Sequence, residues 1–215
     1  MPPIDDIRDG RSHRERIDFF RAVYHHADGD QKKIPWATEG AKPEVLDWLA
    51  ANPTPAGARA LDVACGLGEN AEALAQAGYE TVAFDVSDKA IDWAKKRYPN
   101  SSVDYHQADL FDLPLDWGRF DLVHECYTLQ SLPDELRTNA FDAIARLVAP
   151  GGTLLVYARV RPDGSEWEHA PWPVMLGEFD AFIHAGLDLI SDSHFDSNGR
   201  NGMIPHAFLV YKRPI

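Results

Sequence analysis

Two glycines and three aspartates between residues 62 and 109 have the types and spacing to seat a nucleotide-like cofactor. Gly66 and Gly68 interrupt "LDVACGLGENAEALA", where a strand-like run gives way to a helical one. Glycines at such a point let the chain turn tightly and bring a ligand close to the main chain. Asp62 lies inside the strand-like run, and Asp85 ends the next one, 23 positions later. At that spacing an acid can accept hydrogen bonds from both hydroxyls of a ribose. Asp109 ends a third run, "HQADL".

The surrounding pattern supplies the elements that must hold these residues. "RERIDFFRAVYHH" and "KPEVLDWLAANP" carry apolar residues at helical spacing, and the stretch between them is rich in glycine and proline. Residues 1–55 therefore read as an N-terminal helical cap or lid, and 56–215 as the core. From Arg59 strands alternate with helices: "ALDVAC", "ENAEALAQAG", "TVAFDV", "DKAIDWAKKRY" with Ser87 as its N-cap, "SVDYHQADL", "FDLVHECYTL", "DELRTNAFDAIARLV" and "TLLVYARV". Such alternation predicts a Rossmann-like, doubly wound parallel sheet. After a further helix around "MLGEFDAFIHAG", the runs "LDLISDSHF" and "HAFLVYKRP" predict a hairpin that makes one edge antiparallel.

The glycines alone leave the cofactor open, because Gly66-x-Gly68-x-x-Ala71 also meets a relaxed dinucleotide pattern. An acid at Asp62 is out of place beside a pyrophosphate and suits a ligand that carries an ammonium group. Asp109 is placed to meet an adenine amino group, "HECYTLQSLP" puts polar groups at the end of the fourth strand, and "LVAPGGTLLV" opens the fifth. This ordered set resembles the class I S-adenosylmethionine-dependent methyltransferases, over residues from about 59 to the C-terminus. The resemblance implies a seven-stranded sheet with its last strand antiparallel, and S-adenosylmethionine as cofactor. It implies Asp62 and the Gly66–Gly68 turn near the methionine moiety, Asp85 on the ribose and Asp109 at the adenine. Ala64, Val86, Leu110 and Glu125 complete the cofactor-lining set. The cap motif "IPWATEGAKPEVLDWL" looks like the branch of thiopurine, thiol and tellurite methyltransferases, in which a tryptophan such as Trp36 touches the cofactor.

The expected activity is methyl transfer to a small molecule, possibly a thiol or another soft nucleophile. In-line displacement at a sulfonium needs proximity and alignment first, so no catalytic residue is assigned. The alternatives are a nicotinamide-dependent oxidoreductase and a non-catalytic S-adenosylmethionine-binding protein. A formal net charge of -13 disfavours a nucleic-acid partner. Neither an apolar run of bilayer length nor a secretory h-region is present, so a cytoplasmic location without a membrane partner is expected. The adjacent His25 and His26 diverge on a helix, and the cysteines Cys65 and Cys126 are too few for a cysteine-rich site, so no metal is expected. The oligomeric state stays open.

Overall fold

A computed structural model describes residues 12–167, 170–199 and 202–215. Residues 1–11 of the expected cap lie outside them. The chain divides into two compact units, with the boundary between Phe120 and Asp121.

In the first unit, helix α1 (His13–Ala27) starts at a capping box in which Ser12 and Glu15 satisfy each other's backbone N–H groups. Helix α2 (Pro43–Ala51) has proline in its first turn, where the missing N–H costs nothing. Strand β1 (Arg59–Val63), helix α3 (Glu69–Gln76), strand β2 (Glu80–Asp85), helix α4 (Asp88–Arg97) and strand β3 (Asp104–Gln107) follow. The strand order is β3-β2-β1, with both pairs parallel. Ser87 caps α4 through the Ala90 N–H, as its position in the sequence predicts. Arg97 in the last turn of α4 pairs with Glu69 at 2.7 Å and ties α4 to the start of α3. Ala71 stands where a dinucleotide fingerprint has its third glycine, and it is fully buried among Ala83, Ile91, Ala94, Val103 and Tyr105. A methyl group fits this helix–strand contact, so glycine is not needed there.

The second unit holds β4 (Phe120–Cys126), α5 (Asp134–Leu147), β5 (Val148–Arg161), β6 (Val174–Met175), α6 (Asp180–His184), β7 (Asp188–Gly199) and β8 (Gly202–Lys212). Its strand order is β4-β5-β8-β7, and β6 pairs parallel with β5 beside that path. The final strand, β8, is antiparallel to both β5 and β7, so it lies inside the sheet and β7 forms the edge. That position is why β8 is buried from His206 to Tyr211 while Leu189 and Ile190 of β7 are exposed. The fold is Rossmann-like: an α/β sheet with mostly parallel strands, an antiparallel last strand and N-terminal helices. Among the described residues eight strands are present where seven were expected, the addition being the two-residue β6.

Candidate functional site

The turn between β1 and α3 is built from left-handed backbone. Ala64, Gly66 and Gly68 have φ of 51°, 56° and 90°, a conformation glycine adopts freely and other residues rarely. Gly68 tolerates no side chain: a Cβ there would lie 2.4 Å from the Tyr105 hydroxyl. At Gly66 a Cβ would lie 3.1 Å from the Tyr24 hydroxyl, which α1 brings over the turn. The cap and the turn thus pack together. Tyr24, Ala27 and Ile34 form one buried cluster with Leu67 and Ala90, and Trp36 packs against it.

Asp85 is buried, and its carboxylate spans the mouth of β1 and β2. Oδ2 accepts from the Gly66 N–H at 3.1 Å and Oδ1 from the Ser87 N–H at 2.9 Å. Burial pushes its carboxyl up to about 6, against the pull of those two N–H groups, and the nearby Asp62 charge adds to the rise. Each oxygen bears a second lone pair, so the group can still accept from ribose hydroxyls. Asp62 is also buried, inside β1. The field it shares with Asp85 and Glu69 is visible at Cys65, whose thiol is pushed well up by burial first and then by these three carboxylates. Tyr24 is raised in the same way, by burial and then chiefly by Asp85. Two buried carboxylates, Asp62 and Asp85, beside the turn disfavour pyrophosphate and suit a cation.

Asp109 is less available than its place in the sequence predicts. Its Oδ1 accepts from the Phe111 N–H at 3.0 Å and caps the following turn, while Oδ2 lies 2.6 Å from Nε2 of His13 on α1. Leu110 beside it is buried. The Val86 carbonyl accepts from Arg21 of α1 at 3.2 Å and from Gln107 at 3.3 Å. Trp36 donates its indole N–H to the Tyr24 hydroxyl at 2.8 Å. Sequence reasoning missed His13 and Arg21, although the Ser12-x-x-Glu15 box marks where α1 begins and so where His13 stands.

In the second unit, Glu125 is fully buried at the end of β4. Its Oε1 accepts from the backbone N–H groups of Thr128 and Leu129, at 2.6 and 3.0 Å. The carboxylate thereby clamps the turn that carries Tyr127, a left-handed tyrosine with φ of 67°. Among the described residues no group of three or more metal-ligating side chains comes together, and no helix is long and apolar enough to cross a membrane.

S-adenosylmethionine carries a sulfonium and an ammonium group on an adenosine, and the residues of the first unit fit it. Asp62 and Asp85 supply buried acid beside the Gly66–Gly68 turn, which is the chemistry such a cation calls for. Comparison with known proteins agrees. Residues 60–152 match the model of the methyltransferase domain family. Ubiquinone biosynthesis O-methyltransferase of Xanthomonas campestris pv. campestris (strain B100) is 34% identical over 162 residues, covering 73% of this chain and 65% of the relative. The chain thus spans a little under two thirds of that relative's length. Among solved structures, one described for the conversion of a disulfide bond into a thioacetal group during echinomycin biosynthesis has a TM-score of 0.74 at 20% identity, covering 92% of this chain and 91% of its own. Magnesium protoporphyrin IX methyltransferase from Synechocystis PCC 6803, with bound S-adenosylmethionine, has a TM-score of 0.69 at 17% identity, covering 92% and 97%. A glycine turn set among buried acids, the Rossmann-like sheet that carries it and the match of residues 60–152 to the methyltransferase domain family agree with one another.

Proposed function

We propose that the protein is a methyltransferase that moves the methyl group of S-adenosylmethionine to a hydroxyl of a small molecule. The carrying observation is the glycine turn between β1 and α3, with the buried carboxylates of Asp62 and Asp85 beside it and the Asp85 carboxylate bonded to the Gly66 N–H. When bound, the cofactor supplies an electrophilic methyl group on a positively charged sulfur. Asp85 would hold the ribose, Asp62 would face the ammonium end, and the main chain at Ala64, Gly66 and Gly68 would let the ligand approach. Asp109 and Leu110 would border the adenine, with Val86 and Trp36 closing the walls. Glu125 would act at one remove, through the turn it clamps. Oxygen as the accepting atom draws support from the O-methyltransferase name of the Xanthomonas relative.

A thiol or other soft acceptor is the second reading. It follows from the cap's likeness to thiopurine, thiol and tellurite methyltransferases. The edge-to-face rings of Phe20, Tyr24 and Trp36 favour it, as they offer an apolar aromatic wall. Release of S-adenosylhomocysteine across a matched panel of phenols, catechols, thiols and amines separates the two. Turnover confined to thiols defeats the hydroxyl assignment, and no turnover with intact cofactor binding defeats both.

We further propose that residues 1–55 act as a lid on the core of residues 56–215. His13 on Asp109, Arg21 on the Val86 carbonyl and Tyr24 over Gly66 all reach from α1 to residues proposed to hold the cofactor. Closure of such segments excludes water and aligns reactants. Hydrogen exchange across residues 20–43 is expected to slow when S-adenosylhomocysteine is added. Identical exchange with and without ligand would make the segment a fixed cap.

A further inference from the structure

The first unit carries a cleft that the cofactor turn does not use. Its volume is about 440 Å³, within the range of roughly 300–1,000 Å³ that small-molecule sites occupy. Helix α3 forms one wall, and the end of α4 with the segment leading into β3 forms the other. That segment, residues 98–103, enters β3 at Asp104, whereas Asp85 ends β2 and Gly66 follows the end of β1. The strands are parallel, so the cleft stands at the entering end of β3 and the glycine turn at the leaving ends of β1 and β2. Nucleotide-type ligands of an open α/β sheet bind outside the leaving ends. The cleft is a separate place, and it shares no lining residue with the cofactor assignments.

Two groups of opposite charge line it. Glu72 of α3 is half-buried, and its Oε1 accepts from the Ser101 hydroxyl at 2.6 Å and the Tyr105 hydroxyl at 2.7 Å. Those two bonds fix the carboxylate. Its Oε2 accepts no hydrogen bond among the described residues and keeps its lone pairs. Arg97, in the last turn of α4, donates from Nη1 to Glu69 at 2.7 Å. Its Nε and Nη2 donate to no described residue. Glu69 and Glu72 are three positions apart on one helix and share a face, so the Arg97 fork lies beside the Glu72 carboxylate.

Tyr98 completes the floor. The Arg97 guanidinium lies over its ring, 5.4 Å from the centre, a cation–π contact that steadies the plane of the fork. Burial pushes the Tyr98 hydroxyl up, Arg97 opposes this, and the charges of Glu69 and Glu72 add to the rise. The ring thus sits among all three charges and its hydroxyl stays a donor. A bridge that only fastened α4 to α3 would need Arg97 and Glu69. It would not need a second carboxylate, fixed by two hydroxyls and facing open space.

A carboxylate oxygen with spare lone pairs takes an ammonium group, and a planar guanidinium fork takes a carboxylate through parallel hydrogen bonds. A molecule bearing both groups on neighbouring atoms satisfies both at once. A polyhydroxyl ligand would leave the two charges unmatched. At the rim Gln76 and Asn100 are exposed, and their amides can both donate and accept.

We propose that this cleft is a second ligand site, which takes a free α-amino acid with a polar side chain. The ammonium group sits on Oε2 of Glu72, the carboxylate on the Arg97 fork, and the side chain crosses Tyr98 toward the rim amides. An open, polar cleft buries little apolar surface, so the expected dissociation constant is on the order of 1 mM.

Backbone amide NMR of the full chain, at fixed ionic strength, tests this by titration with L-glutamine and L-serine. Wild type should show saturable shifts centred on residues 72–76 and 97–102. Glu72→Gln keeps an oxygen for Tyr105 and Ser101 but removes the charge, and should weaken binding roughly ten- to a hundredfold. Ser102→Trp lays a ring over the cleft from an exposed position and should abolish the shifts. N-acetyl-L-glutamine lacks the ammonium group, L-glutaminamide lacks the carboxylate and D-glucose lacks both, so each should shift these amides far less. No shift from either amino acid, equal shifts from any of the three analogues, or shifts centred on Gly66 and Asp85 overturn the site. So does an undiminished response in Ser102→Trp, which decides alone if Glu72→Gln does not fold. The readout involves neither turnover nor cofactor, so its failure leaves the methyl-transfer reading where the acceptor panel puts it.

Discussion

Replacing Asp85 with alanine is expected to weaken S-adenosylmethionine binding ten- to a hundredfold while the domain stays folded. Hydrogen bonds to a charged group contribute about 1.5–3 kcal/mol each, and a factor of ten in affinity is about 1.4 kcal/mol. The pH dependence sharpens this expectation. Burial raises the Asp85 carboxyl to about 6, well above its ordinary 3.8. The folded protein without cofactor therefore holds this proton more tightly than the unfolded chain does. The group's contribution to stability is greatest below the unfolded value and is lost as pH rises through about 6. Cofactor binding runs the other way, because ribose hydroxyls donate best to the ionised form. Affinity should therefore fall as pH drops through about 6 in wild type and stay flat over that window in Asp85→Ala. Calorimetry from mildly acidic to neutral pH measures both. An unchanged dissociation constant in the variant would remove Asp85 from the site.

How much of this was legible in the sequence depended on what each residue has to do. The alternation of strands and helices was readable because each element buries one face, and periodicity records that directly. The end of β2 was readable for the same reason, and with it Asp85. Ser87 announced α4 by a local rule that needs no tertiary contact. The fate of Asp109 was not legible. Its partner His13 is 96 residues away, and no periodicity links the start of one helix to the end of a strand so distant. Glu125 shows a different limit. Its place at the end of β4 suggested a ligand contact, but its Oε1 is used on the N–H groups of Thr128 and Leu129. A sequence shows where an acid stands, not which donors the following turn will aim at it. The hydrogen bond between Tyr127 and His206 joins residues 79 apart through the register of β8. That register depends on β8 lying between β5 and β7, which a hairpin pattern does not specify.

Substituting Gly68 by alanine is expected to give the largest loss of stability at the turn, and Tyr105→Phe should restore part of it. The alanine meets two penalties. Its φ of 90° lies in the region that side chains disfavour, at a cost of about 1–2 kcal/mol. Its Cβ would also lie 2.4 Å from the Tyr105 hydroxyl and 3.1 Å from the ring carbon that bears it. Tyr105 cannot swing aside at low cost. It is 3% exposed, packs in the α3–β2–α4 cluster, and donates to Glu72 at 2.7 Å. Glu72 is held in turn by the Ser101 hydroxyl at 2.6 Å. Overpacking of this kind adds about 1–3 kcal/mol, for a total of about 2–5 kcal/mol. A chain of this size should then melt about 5–15 °C lower. Tyr105→Phe alone gives up one hydrogen bond, about 1 kcal/mol. In the double variant the nearest clashing atom is gone, while the φ penalty and the tight ring contact remain. The two substitutions should therefore cost less together than the sum of each alone, by about 1–2 kcal/mol, within the range that touching residues show in double-mutant cycles. Denaturant unfolding of the four proteins measures that coupling. Strict additivity would mean that backbone conformation alone makes glycine necessary at position 68, and that the contact with Tyr105 is relieved by movement of the turn.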